Sequence, residues 1–80
     1  MHIKLKAFGI AREIMGGGEV FFSWDGEKNV EGLQKALLAQ FPRFQTVKSI
    51  KIAINEAYAR PGQSIELQDD VAIIPPVSGG

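Results

Sequence analysis

Asn29-Val-Glu-Gly-Leu-Gln-Lys-Ala-Leu-Leu-Ala-Gln-Phe41 is the stretch whose reading decides the fold. Val30, Leu33, Leu37 and Phe41 recur at helical spacing with Ala36 beside them, so one face is apolar and the other polar. Asn29 is a preferred N-cap residue, because its side-chain oxygen can accept a hydrogen bond from a first-turn N–H. Pro42 disfavours the α region for the residue before it, which ends the predicted helix at Phe41 or just before it. Gly32 weakens it by up to about 1 kcal/mol relative to alanine. A single amphipathic helix covers one face of one sheet, and the segments on either side supply the sheet.

On the N-terminal side, His2 to Phe8 alternates with period two, the mark of a strand covered on one face. Ile3, Leu5 and Ala7 point inward, while His2, Lys4, Lys6 and Phe8 point out. A short helical turn is expected over Gly9 to Met15, broken by Gly16-Gly17-Gly18. Glu19 to Asp25 reads as a second strand with Val20, Phe22 and Trp24 on its inner face, and Asp25-Gly26 turns the chain into the helix. On the C-terminal side, Arg43 to Ser49 reads as loop, with Phe44 tucked under the helix end. Ile50, Ile52 and Ile54 mark a third strand. Asn55-Glu56 turns it into a short strand, Ala57 to Ala59, which Arg60-Pro61-Gly62 breaks. A loop with Ile65 and Leu67 follows, then a turn at Asp69-Asp70 and a last strand, Val71 to Ile74, with Val71 and Ile73 on one face and Ala72 and Ile74 on the other. The expectation is one α+β two-layer domain over residues 1–80, with 75–80 as an extended tail. Its uncovered face should carry Phe8 and Ile74, with Tyr58 nearby, as an apolar docking patch.

The bulk numbers narrow the function. Nine basic and nine acidic residues cancel, and no run of like charge exceeds Asp69-Asp70. That argues against nucleic acid and against a polybasic membrane surface. No apolar run approaches the ~20 residues that span a bilayer, and Met1 to Phe8 lacks a signal-peptide pattern, so the expected location is the cytoplasm. With no cysteine and a single histidine, no zinc site is expected, and no side-chain thiol is available to carry sulfur. Asp69 and Asp70 read as a turn and not as an acid/base pair. Ser78 has no histidine partner that would make it a nucleophile. Gly16 to Gly18 lacks the lysine and the spacing of a phosphate loop.

The sequence ends Ile73-Ile74-Pro75-Pro76-Val77-Ser78-Gly79-Gly80. Proline fixes φ and removes an N–H, so Pro75 and Pro76 stop sheet pairing and hold the chain extended. Six residues span at most ~20 Å, far enough to carry an α-carboxylate into another protein's cavity. Gly79 and Gly80, lacking Cβ, suit a tail that threads a narrow channel. The competing reading is a frayed chain end.

Ala7-Phe8-Gly9-Ile10-Ala11-Arg12-Glu13 and the double-proline Gly-Gly ending, supported more loosely by Asn55 and by the Val30/Leu33 helix start, resemble the small subunit of molybdopterin synthase. That family consists of ubiquitin-like β-grasp sulfur carriers, and the likeness covers nearly the whole chain. It implies a mixed sheet of about five strands with one main helix on one face. It also implies that an activating enzyme uses ATP to adenylate the carboxylate of Gly80, which becomes a thiocarboxylate. The large catalytic subunit then receives the tail, and the sulfur passes to a pyranopterin precursor in molybdenum cofactor biosynthesis. Carried over by position, Gly80 bears the sulfur and Gly79 is its threading neighbour. Phe8, Tyr58 and Ile74 become apolar partner contacts, Arg12 a polar one, and Pro75, Pro76, Val77 and Ser78 the inserted arm. The chain alone would bind no cofactor and would not be catalytic. Two departures stand out: Ile74 replaces a common aromatic, and Gln68-Asp69-Asp70 lacks a usual glycine, which puts that turn's geometry in question. A sulfur carrier for thiamine or tRNA thiolation, a protein-conjugating modifier, or a β-grasp binding module with an incidental Gly-Gly are the alternatives.

Overall fold

A computed structural model describes residues 2–47 and 50–75. Pro76, Val77, Ser78, Gly79 and Gly80 therefore lie outside the described residues. The elements run β1 (His2–Ala7), α1 (Gly9–Met15), β2 (Glu19–Ser23), α2 (Val30–Gln40), a 3-10 helix (Pro42–Thr46), β3 (Lys51–Ile54), β4 (Ala57–Tyr58) and β5 (Val71–Ile74). The strands form one sheet in the order β2-β1-β5-β3-β4. Only the β1–β5 pairing is parallel; the other three are antiparallel. The centre goes to β5, whose four residues are all apolar and tolerate cover from both sides.

The inward parity predicted for each strand holds. Ile3, Leu5, Ala7, Phe22, Ile52, Ile54, Val71 and Ile73 join Val30, Leu33 and Leu37 of α2 in one buried cluster. Ala11 and Met15 of α1 belong to the same cluster, so both helices lie on the same side of the sheet. Asn29 caps α2 as expected: its Oδ1 accepts the Gly32 N–H at 2.8 Å from an extended backbone.

Boundaries shift where side chains compete with the ladder. The second strand stops at Ser23 and not at Asp25, because Trp24 turns away: its Nε1 donates to the Glu27 carbonyl at 2.9 Å, and Lys28 Nζ donates to the Trp24 carbonyl at 2.7 Å. Trp24 is buried all the same. The first strand gives way at Phe8, whose extended backbone serves as the N-cap of α1. The third strand begins at Lys51, and the short one holds only Ala57–Tyr58. Helix α2 ends at Gln40, with Phe41 at φ −131° and ψ 77°, outside the α region as its following proline requires. The stretch expected as loop coils into the 3-10 helix, with proline in its first turn and Thr46 Oγ1 bonded to the Arg43 carbonyl at 2.7 Å. This places Phe44 in the core, edge-on to Phe41 at 6.2 Å.

Gly32 reverses an expectation from propensity. Helix scales make alanine the stabilising replacement by up to about 1 kcal/mol. A Cβ at this position, however, would overlap the carbonyl oxygen of Glu27, which the N-cap turn folds against the helix. Relief must come from the backbone, so Gly32→Ala should lower the melting temperature, by roughly 4–8 °C for each kcal/mol of strain in a domain this size. A thermal melt that rises instead would show that the turn yields freely.

Candidate functional site

Five strands with both helices on one side leave the opposite face without a helix among the described residues. The register sets Lys6, Ala72, Ala53 and Tyr58 side by side across β1, β5, β3 and β4. The two alanines in the middle make a low floor. One rung further on, Ile74 follows Ala72 on β5, and the Phe8 N–H reaches the Ile73 carbonyl at 3.3 Å, extending the parallel ladder by one bond. The result is a hollow of about 550 Å³ lined by Phe8, Tyr58, Ile74, Ala53 and Ala72, with Lys6, Glu56 and Asp70 also lining it. Phe8 is 51% exposed and Tyr58 68% exposed, while Ile74 is half-buried. Two aromatics left this bare around a shared depression form an apolar patch. Lys6 and Asp70 pair at 3.3 Å at its edge, both well solvated, a contact worth about 0–1 kcal/mol.

The predicted trio of Phe8, Tyr58 and Ile74 thus meets at one hollow. Arg12 does not line it: on α1, its Nε stands 3.7 Å from where a Cβ of Gly18 would sit. Ala53 and Ala72 were missed as site residues. Their signal was present in the sequence as small side chains on the outer parity of two strands, but only the register makes them neighbours. Pro75, at the root of the tail, lies beside Gly9. Parallel pairing brings the C-terminal ends of β1 and β5 together, and a Cβ on Gly9 (φ 54°) would come within 2.9 Å of Pro75 Cγ.

The turn in question at Gln68-Asp69-Asp70 needs no glycine. Among the described residues, positive φ outside glycine occurs only at Asn55 (54°) and Glu56 (71°), the two-residue turn between β3 and β4. Asp69 closes its own turn instead, its Oδ2 accepting the Glu66 N–H at 2.8 Å. Asn55 joins the two turns: its Nδ2 donates to Asp69 Oδ1 at 3.0 Å and its Oδ1 accepts the Asp70 N–H at 2.9 Å. Elsewhere, His2 stacks on the exposed Phe21 at 5.8 Å. No group of three or more side chains able to hold a metal ion occurs among the described residues, and none of their helices is long and apolar enough to cross a membrane. A second hollow of about 590 Å³ lies against α2 and the Trp24-to-Asn29 turn, and none of the predicted site residues that are described lines it.

A mixed sheet of this order, grasping one long helix and ending on a central strand whose exit borders an apolar hollow, defines a ubiquitin-like β-grasp protein. The chain belongs to the ThiS family, whose model matches residues 5–80. A relative from Chlamydomonas reinhardtii, molybdopterin synthase sulfur carrier subunit, is 37% identical over 83 residues covering 100% of both chains. Among solved structures, SAMP1 from Haloferax volcanii, a small archaeal modifier protein, superposes with a TM-score of 0.78 at 26% identity over 100% of both chains. Subunit 1 of molybdopterin-converting factor from Helicobacter pylori, solved as a complex with subunit 2, shares the fold with a TM-score of 0.66 at 18% identity over 100% of both chains.

Proposed function

We propose that this chain is the sulfur carrier subunit of a molybdopterin synthase, with Gly80 as the residue that bears the sulfur. The observation that carries the reading is the placement of Phe8, Tyr58 and Ile74 around one hollow at the exit of β5, in a chain similar end to end to a molybdopterin synthase sulfur carrier subunit. An apolar address next to Pro75, at the root of the tail, suits a domain that docks by its sheet and delivers its terminus.

The chemistry follows from the terminus. An α-carboxylate has a pKa of about 3.3–3.7, so at neutral pH it is an anion and a poor electrophile. An activating enzyme transfers AMP from ATP to it, releasing pyrophosphate. A sulfur nucleophile then displaces AMP, which takes one carboxylate oxygen with it, and leaves a thiocarboxylate on Gly80. Docked against the large catalytic subunit, as subunit 1 of the Helicobacter pylori factor is complexed with subunit 2, the carrier presents that sulfur to the pyranopterin precursor. The catalytic groups belong to the partners; this chain supplies the address, the arm and the reacting terminus.

Intact mass spectrometry tests it. Incubated with the cognate activating enzyme, ATP and a sulfur donor, the carrier should gain the difference between one sulfur and one oxygen. An unchanged mass, beside a control carrier that converts, would refute the assignment. The likeness to an archaeal modifier protein favours a second reading, conjugation of the terminus to an amine of another protein. Isolation of isopeptide-linked adducts instead of a large-subunit complex would select it.

A further inference from the structure

Tyr58 is the more exposed aromatic of the hollow, yet it sits on the least supported strand. β4 has two residues, lies at the sheet edge, and pairs only through Ala53↔Tyr58 and Ile54↔Ala57. Beyond that ladder, the Ala59 N–H donates to the Ile52 carbonyl at 2.8 Å. A two-stranded hairpin pairing is marginal in water, so so short an edge strand needs anchoring from outside its own ladder.

The anchor is a chain of polar contacts running from the hairpin turn back into the sheet. The Asn55 N–H donates to the Asp70 carbonyl at 2.8 Å. Its carboxamide spans the adjacent turn, donating to Asp69 Oδ1 and accepting the Asp70 N–H. Asp69 is held in turn by the Glu66 N–H, and the Asp70 carboxylate pairs with Lys6 of β1. The hairpin that carries Tyr58 is thereby tied to the segment entering the central strand and to β1, which leads to Phe8. Asn55 is also one of the two non-glycine residues of the described chain with positive φ, a conformation that asparagine tolerates better than most residues.

We propose that Asn55 is a positioning residue: its carboxamide, bonded to Asp69 and Asp70, holds the β3–β4 turn so that Tyr58 stands at the correct distance from Phe8 and Ile74 for the docking partner. The role rests on the sulfur-carrier reading for the identity of that partner, but the tether itself does not.

Asn55→Gly tests the effect, since glycine keeps the left-handed backbone without strain and deletes the two side-chain bonds. Leu37→Val, in the core on α2 and lining neither the hollow nor the surroundings of Ala59, serves as a control that lowers stability away from both. Two measurements are made on the full chain at a temperature where every variant is folded. In native-state amide exchange, Asn55→Gly should reduce the protection of the Ala59 N–H about tenfold beyond any change at Leu5, whereas Leu37→Val should lower both together. In titration against the large subunit, Asn55→Gly should raise Kd about tenfold, and Leu37→Val should leave it within about twofold. Unchanged Ala59 protection in Asn55→Gly, or an equal rise in Kd for Leu37→Val, would overturn the proposal. If the unaltered carrier binds no large subunit, the carrier reading falls, and the exchange measurement decides the tether alone.

Discussion

One alanine added after Gly80 is expected to reduce sulfur transfer by at least ~10²-fold while leaving the melting temperature unchanged, because a misplacement of about 1 Å at a reacting centre already costs that much. One extra residue of extended chain moves the terminal carboxyl by about 3.3–3.6 Å. The docking face is untouched, so the carrier should still bind its partner, now with a methyl-bearing residue where Gly80 belongs. Reconstitution with activating enzyme and large subunit reads the rate, and a melt reads the fold. A lengthened carrier that transfers sulfur at the normal rate would remove the basis for placing the chemistry at the terminus.

Phe8→Asp is expected to separate docking from folding with opposite signs. Phe8 occupies the N-cap of α1 with an extended backbone and no side-chain cap bond. Aspartate is a preferred residue there, worth about 1 kcal/mol over an uncapped start, so the melting temperature should hold or rise by a few degrees. The side chain removed is half-exposed and lines the hollow. Truncating a central aromatic of an interface costs about 2–4 kcal/mol, and a charge in its place is left desolvated, so affinity for the large subunit should fall by about 10²-fold or more. Ile73→Asp provides the contrast: that side chain is 0% exposed at the centre of the sheet, and an unpaired buried carboxylate there should prevent folding. Calorimetric titration with parallel melts distinguishes the two. Equal losses of stability in both variants would mean that Phe8 belongs to the core.

The same pair of neighbouring parities explains what was legible in the chain. Alternation along β1, β3 and β5 assigned Ile3, Leu5, Ile52, Ile54, Val71 and Ile73 to the core, and helical spacing did the same for Val30, Leu33 and Leu37. The outer parity likewise singled out Phe8 and Ile74, with Tyr58 expected nearby on the short strand. Both readings succeed because periodicity is a local property: a strand or helix of given composition has one face that water rejects, whatever it later packs against.

Expectations failed where a side chain or a distant backbone intervened. Trp24 left its strand to bond Glu27, residues 42–46 coiled around Phe44, and the benefit predicted for alanine at Gly32 vanished against the Glu27 carbonyl. Composition could not announce that Asp69 would do the work of a missing glycine by bonding the Glu66 N–H.

From its sequence alone, the chain determined its two α-helices, its strands to within a residue or two, and the inward faces of both. The tertiary structure decided which strands became neighbours. Parallel pairing of β1 with β5 set Phe8 beside Ile74 and Gly9 against Pro75, and the β3 register put Ala53 next to Ala72, which opened the hollow. Strand order and register come from competition among many distant burial choices at once, and no local pattern encodes the outcome of that competition.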